Sequence, residues 1–358
     1  GGYKMSIAKN KFGVDKAGNE VTKYTLKNKN GMEVSFIDLG AVITNIIVPG
    51  RDGVFEDIAL GYDETAPYEV NKKCFGAPVG RYANRISNAK FVLNGNEYRL
   101  DQNDETNCLH GGNFRYNCCM YNTEYGESGE ENKIIFSRHS PDGEQGFPGN
   151  LDYSVIYVLD DEDGLTIEYN AKCDQDTIIN FTNHTYFNLG KGGHKCPDVL
   201  NQEVQIEADY YTPVDDILIP TGELKELAGT ALDFREFKKL GDGIGKKDAY
   251  GNVVTGYDHN FALRTNGKYA VRKAAQFRDN STGRIMEVLT DQPGMQLYTA
   301  NDIDMDGSKD GVHYGNFCGA CFETQNFPNA INTEGFPNAV LKAGEQFKSM
   351  TVYRFKTF

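Results

Sequence analysis

Six histidines stand among 358 residues, few enough for each to be weighed against its neighbours. His184 lies in Asn180-Phe181-Thr182-Asn183-His184-Thr185-Tyr186-Phe187-Asn188-Leu189-Gly190, where Asn, Thr and His are set between large apolar side chains. Polar groups in such company are costly to bury unless they meet partners or a polar ligand. The run therefore reads equally as a satisfied core network or as a ligand site. His110 precedes Gly111-Gly112, and backbone without a Cβ can approach a ligand closely. Taken alone, though, that motif favours an incidental histidine in a turn. His259 follows Asp258 in a second polar island, whereas His139, His194 and His313 sit in polar, turn-like stretches and read as surface.

Glu323 is the most telling acid, since it follows the apolar run Phe317-Cys318-Gly319-Ala320-Cys321-Phe322. A carboxylate at the end of a buried strand either pairs with a cation or works as a base. In Gly80-Arg81-Tyr82-Ala83-Asn84-Arg85-Ile86, two arginines four apart can brace a loop or grip the oxygens of a ligand. Arg81 reads as half of a structural salt bridge; for Arg85, beside Asn84, the two readings stand level. Metal-holding spacings are wanting: no H-E-x-x-H occurs, and His194-Lys195-Cys196 is too short and isolated. Neither a G-x-S-x-G elbow nor a P-loop appears. What remains is His, Glu, Asn, Arg, Gln and Asp in aromatic surroundings. That inventory suits a carbohydrate, whose hydroxyls need mixed donors and acceptors.

The elements that must position these groups are strands. Residues 202–209 alternate polar and apolar, as a strand with one wet face does. Residues 152–159 and 165–169 flank Asp160-Asp161-Glu162-Asp163-Gly164, a hairpin with an acidic loop and a glycine to take the positive φ. A second hairpin joins 274–279 to 284–290 through Asn280-Ser281-Thr282-Gly283, and 41–48 reads as a buried strand closed by Pro49-Gly50. Helical pattern is confined to 233–240, with Gly241 as its stop. Strands recur about every 10 residues with turn signals between them, and no linker or repeat interrupts them. One all-β domain follows, a large antiparallel sandwich.

Composition agrees. Glycine supplies 39 residues, about 11% against a usual level of roughly 7%, and Tyr and Phe supply 21 each. The formal charge of −14 repels phosphate backbones, and without a basic stripe the chain is no nucleic-acid binder. No apolar stretch of about 18 residues is present to span a membrane. Gly1-Gly2-Tyr3-Lys4 lacks the apolar core of a signal peptide and reads as a scar ahead of a natural start at Met5. The adjacent pair Cys118-Cys119 suits neither a disulfide nor a zinc site. Two of three sequons overlap in the candidate site around His184, where a glycan would block function. Reduced thiols in the cytoplasm are expected.

In this setting the chain resembles the aldose 1-epimerase (galactose mutarotase) family. The matching pieces stand in family order: Gly80 to Ile86 as quoted, Leu109-His110-Gly111-Gly112, Thr182 to Leu189, Thr212-Pro213-Val214-Asp215, Ile219-Pro220-Thr221-Gly222, Asp233-Phe234-Arg235 and Tyr257-Asp258-His259. Pro293-Gly294-Met295-Gln296-Leu297-Tyr298-Thr299-Ala300-Asn301 and Phe322-Glu323-Thr324-Gln325-Asn326-Phe327-Pro328 complete the set. The resemblance implies one β-sandwich domain over 11–358, with 1–10 as an extension. It also implies a sugar cleft on one face, an aldohexose substrate, and no metal or organic cofactor; no signal for an oligomeric state accompanies it. Position by position it makes His184 the general acid and Glu323 the general base, and gives Asn84, Arg85, His110, Asp258 and Gln296 the sugar hydroxyls. One departure is Asn329, where the family usually has Asp after Phe-Pro; it bears on the local loop more than on the chemistry.

The activity implied is interconversion of the α and β anomers of galactose or glucose by ring opening and re-closure. Reference pKa values near 6.5 and 4.3 let His184 be charged while Glu323 is ionised. On those values the acid limb of the pH profile belongs to Glu323, and the alkaline limb to His184, above about 6.5. Three alternatives share the fold or the residues. A sugar-binding module that lost turnover conflicts with the presence of both groups. A hexose 6-phosphate epimerase needs an extra cationic pocket, to which a −14 balance lends little support. A glycoside hydrolase or lyase wants two facing carboxylates, and beyond Glu323 only Asp258 is a candidate.

Overall fold

Alternation becomes pairing in the computed structural model, which describes residues 5–126, 132–265 and 270–358. The acidic-loop hairpin is formed by Leu151–Leu159 and Gly164–Cys173, antiparallel from Leu151 opposite Cys173 to Leu159 opposite Leu165. Every second side chain of its first strand is buried. The left-handed residue of the loop is Asp163 (φ 59°) rather than Gly164. Gly164 opens the second strand and gives its N–H to the Asp160 carboxylate, which a Cβ there would crowd at 2.6 Å. The other expected hairpin forms from Arg272–Asp279 and Arg284–Thr290, with Gly283 left-handed (φ 68°). The buried strand is Val42–Pro49.

Two expectations are corrected. Residues 202–209 are not one strand: Glu203–Ile206 joins a nine-stranded sheet and Ala208–Thr212 a six-stranded one, so the alternation runs through a change of sheet at Glu207. The helix over 233–240 does not form. Lys238–Lys239 pair instead with Glu203 and Val204 at the sheet edge, and the Phe234 carbonyl accepts from the Ile206 N–H. Tertiary partners for the backbone override a weak helical pattern. Among the described residues the α-helix is limited to Thr65–Tyr68.

The nine-stranded sheet runs Asn122–Tyr125, Lys133–Ser140, Leu151–Leu159, Gly164–Cys173, Gln346–Thr357, Arg284–Thr290, Arg272–Asp279, Glu203–Ile206, Lys238–Lys239. The six-stranded sheet runs Tyr186–Phe187, Ala320–Gln325, Gly294–Tyr298, Asp258–Leu263, Ala208–Thr212, Lys225–Glu226. A five-stranded sheet holds the strands from Ser6–Val14 to Phe55–Asp57 in chain order. Their ladders are antiparallel. The buried faces meet in one core: Phe36 stacks on Tyr157 with centroids 4.4 Å apart, and Phe322 packs on Phe277 at 5.1 Å. This is the expected large all-β sandwich. Its first strand begins at Ser6, opposite Lys27, inside the stretch 1–10; the supposed scar at Gly1 to Lys4 lies outside the described residues. No helix among the described residues is long and apolar enough to cross a membrane.

Arg81 is structural, though not through the salt bridge expected. It is fully buried, and its guanidinium donates to the carbonyls of Pro148 (2.8 Å) and Gly149 (3.1 Å) and to the hydroxyls of Ser140 (2.8 Å), Thr177 (3.3 Å) and Tyr116 (3.2 Å). Neutral acceptors converge on it from segments far apart in the chain: Tyr116, Ser140, Pro148-Gly149 and Thr177. His194 is not a surface residue either: it is buried, 3.2 Å from both the Asp310 carboxylate and the Tyr314 hydroxyl. His139 and His313 are exposed, as expected.

Candidate active site

Short pairings set the site. His184 lies between the two-residue strands Thr182–Asn183, which pairs with Pro78–Val79, and Tyr186–Phe187, which pairs with Ala320 and Cys321. Its backbone N–H is tied to the Ala77 carbonyl at 2.8 Å. Glu323 is opposite Gln296 in the six-stranded sheet, and Asp258 is opposite Tyr298 on the next strand. From the other side, Arg85–Ile86 pairs with Cys108–Leu109, which delivers Arg85 and His110 together. These converge on a cavity of about 190 Å³ lined by Asn84, Arg85, His110, His184, Asp258 and Glu323, and also by Lys72, Lys73, Cys74, Leu109, Arg115, Tyr186 and Tyr298. Pockets for drug-sized ligands start at about 300 Å³, so this one has room for a single small polar molecule.

His184 Nε2 stands 3.5 Å from Glu323 Oε1, and both side chains are buried. Burial disfavours charge on each. It pushes the His184 imidazole down to about 4 and Glu323 well above the usual carboxylate range, helped by the Asp258 charge and opposed by Arg85. The charged pair inferred from reference values is therefore not the resting state, because desolvation outweighs the attraction of the two groups. Between the two values they hold one mobile proton and no net charge. The order of titration is the reverse of that read from reference values: acid adds a proton at His184, and alkali removes one from Glu323. The other carboxylate oxygen, Oε2, is buried without a hydrogen-bond partner, an acceptor position that a ligand hydroxyl would satisfy.

The glycines after His110 serve loop packing. A Cβ on Gly111 would lie 2.4 Å from the Gly80 carbonyl, and one on Gly112 2.8 Å from Asp101 Oδ2. His110 Nδ1 accepts the Asn84 backbone N–H at 3.0 Å, and burial with nearby cations keeps the ring neutral. Its proton therefore sits on Nε2, aimed at the cavity. His110, His184 and Glu323 offer atoms within 4.8 Å of one another, a set that resembles the His₂Glu ligands of zinc. A ring nitrogen that carries a proton is no ligand, however, so His110 fits a hydroxyl better than a metal.

Arg85 Nε holds the Asp104 carboxylate at 2.7 Å and leaves the rest of its guanidinium to the cavity. Asn84 accepts the Arg85 N–H through Oδ1. Gln296, expected at the sugar, is not a lining residue; its amide donates to Asp258 Oδ1 at 2.7 Å. Asn329 is left-handed (φ 55°) and accepts the Ser87 N–H through Oδ1 at 3.0 Å, a loop contact away from the cavity. Two features escaped the reading of the sequence. Cys318-Gly319-Ala320-Cys321 has C-x-x-C spacing, a signal that was there to be read; both thiols are free, and Cys321 Sγ sits 3.5 Å from His184 Nδ1. Lys72, Lys73 and Arg115 reach the cavity from loops that carry no motif.

A β-sandwich with this cleft is of the galactose mutarotase type. A galactose 1-epimerase structure from Lactobacillus acidophilus NCFM matches with a TM-score of 0.84, covering 99% of both chains at 28% identity. An aldose epimerase homologue from C. elegans shares the fold at the same TM-score and 24% identity, again over 99% of each chain. The chain belongs to the aldose 1-epimerase family, whose sequence profile matches residues 22–354. It is 40% identical to the galactose mutarotase of Bos taurus over 98% of its length and 99% of the relative's. The aldose 1-epimerase of Escherichia coli K12 is 34% identical over 92% and 94%.

Proposed function

We propose that this chain is an aldose 1-epimerase that interconverts the α and β anomers of galactose and glucose. The observation that carries the reading is the buried pair of His184 and Glu323, 3.5 Å apart on the floor of a small polar cavity, with one carboxylate oxygen unpartnered. Opening a pyranose needs a proton delivered to the ring oxygen O5 and another removed from the hydroxyl on C1. The proton held by Glu323 first passes to His184 across their 3.5 Å contact; Glu323 then takes the O1 proton while His184 gives one to O5, and the C1–O5 bond breaks as the C1=O1 bond forms. That step leaves a neutral imidazole and a carboxylic acid, the arrangement burial favours. The open aldehyde rotates about C1–C2, and closure runs the transfers backwards on the other face. Over one cycle each group both gives and takes a proton. The His110 Nε2–H, Arg85 and Asp258 suit the task of holding hydroxyls during rotation, and Gln296 acts by bracing Asp258.

Polarimetry on freshly dissolved α-galactose tests the reading. Catalytic amounts of protein should bring the rotation to its equilibrium value well before buffer alone does. A sugar-binding module on the same fold would bind galactose and leave that rate unchanged.

A further inference from the structure

Both ring nitrogens of His184 are engaged from a single strand. Within Ala320–Gln325, Cys321 and Glu323 stand two apart and so project from the same face. Glu323 Oε1 faces Nε2 at 3.5 Å, and Cys321 Sγ faces Nδ1 at 3.5 Å. Register supplies the rest of the seat. Cys321 lies opposite Tyr186 on one side and Tyr298 on the other, and directly opposite residues share a face. The Tyr186 ring stacks on the imidazole with centroids 5.0 Å apart, and the Tyr298 ring crosses it at 79° and 6.0 Å. His110 closes a further side at 5.3 Å. Packing therefore holds the ring, while the partner of Nδ1 decides which nitrogen carries the proton. For a histidine that moves protons this partner is often a carboxylate or a backbone carbonyl. Here it is a fully buried thiol.

We propose that Cys321 is a positioning residue: its sulfur accepts the Nδ1–H of His184 and so leaves Nε2 open for the proton that Glu323 supplies. This rests on the mutarotase reading, in which Nε2 first receives that proton and then gives it to O5. A neutral imidazole has one N–H, and a proton already on Nε2 would block the transfer at its first step. The backbone of His184 itself also favours a ring proton, and Nδ1 is the nitrogen next to the side-chain stem. Both acceptors thus draw the proton to the same end of the ring. Sulfur suits the later step as well. Burial pushes the Cys321 thiol well above its ordinary range, so it stays uncharged. A carboxylate in its place would stabilise the imidazolium and weaken it as an acid towards O5. The Arg115 charge likewise opposes a lasting imidazolium. A neutral, weak acceptor fixes the tautomer without holding back the proton in transit.

Nitrogen NMR of the labelled protein and kinetics on galactose test this together. The ring signals of His184, assigned by their loss in His184→Asn, should show the wild-type chain at neutral pH with a proton on Nδ1 and a bare Nε2. In Cys321→Ala the kcat for mutarotation should fall about tenfold, the worth of one neutral hydrogen bond. KM should stay level, because Cys321 does not line the cavity. Cys321→Ser keeps an acceptor and should recover most of the lost kcat. Packing alone predicts the opposite order, since a hydroxyl is a costlier filler than a methyl in a buried apolar site. A proton on Nε2 in the wild-type chain, or a Ser variant no faster than the Ala variant, overturns the proposal and leaves the mutarotase intact. The wild-type tautomer needs no substitution at Cys321, so misfolding of either variant does not spoil that arm. A wild-type chain that fails to speed the mutarotation of galactose overturns the reading on which the proposal rests, whatever the ring signals show.

Discussion

Replacing Glu323 by Gln should abolish catalysis and, at the same time, expose a pH dependence of stability that the wild-type chain conceals. Between about pH 4.5 and 6.5 the unfolded chain carries a protonated histidine and an ionised glutamate, one proton in all. The folded chain also holds one, on Glu323 rather than His184, because burial lowers the imidazole and raises the carboxyl. Equal proton counts mean no slope from this pair. The Glu323→Gln substitution removes the carboxyl from both states. The unfolded variant then binds a proton at His184 that the folded variant refuses until pH falls to about 4. A depressed folded pKa on a histidine stabilises the fold at high pH and withdraws that stability as pH falls below the unfolded value of about 6.5. The difference of about 2.5 units, at about 1.4 kcal/mol each, comes to about 3 kcal/mol between pH 6.5 and 4. Above pH 6.5 the order reverses, since the wild-type chain must keep or ionise a buried carboxyl and the variant has none. Urea unfolding of both proteins at a series of pH values checks this, other titrating groups cancelling in the difference. Polarimetry alongside should show a loss of about 10²- to 10⁴-fold, the usual worth of a positioned base, with galactose still bound. A stability difference that stays constant from pH 4.5 to 6.5 would refute the neutral buried pair.

Three further outcomes follow from the site and its frame. The profile of kcat/KM against pH should fall on the acid side near pH 4, as a second proton reaches His184, and on the alkaline side as Glu323 ionises above the normal carboxylate range; His184→Asn should remove the acid limb and cut the neutral rate, and the same change at exposed His139 should do neither. Arg81→Met should cost about 3–5 kcal/mol in urea unfolding, because it strands buried acceptors on segments around Tyr116, Ser140, Pro148 and Thr177; a loss under about 1 kcal/mol would show those segments held by other means. Turnover should survive EDTA, and activity lost to chelation and restored by zinc would contradict the protonated Nε2 of His110.

Strand alternation made much of the frame legible, because burial on one face leaves a period of two in the sequence. It failed where pairing is decided at a distance: residues 233–240 became a sheet edge only because Glu203 and Val204 were there to receive Lys238 and Lys239. The motifs brought His184, Glu323, Arg85 and His110 to one cavity, yet no spacing could say that Gln296 would brace Asp258. Charge state was out of reach for the same reason. A reference pKa describes a solvated side chain, and only the packed sheets reveal how little water His184 and Glu323 keep. Lys72, Lys73 and Arg115 are ordinary loop residues in the sequence, and their convergence is a property of the fold.

The place of Gln346–Thr357 bears on how the chain is made. This strand lies in the middle of the nine-stranded sheet, hydrogen-bonded to Gly164–Cys173 on one side and Arg284–Thr290 on the other. A ribosome delivers it after every other strand described. Until it emerges, the two halves of that sheet face each other across a missing strand with open edges, which invite pairing with other chains. Vectorial folding can settle the five-stranded sheet early, but closure of the core must wait until Gln346–Thr357 has left the ribosome. A nascent chain stalled short of Gln346 would be expected to occupy chaperones, and one complete through Thr357 to leave them.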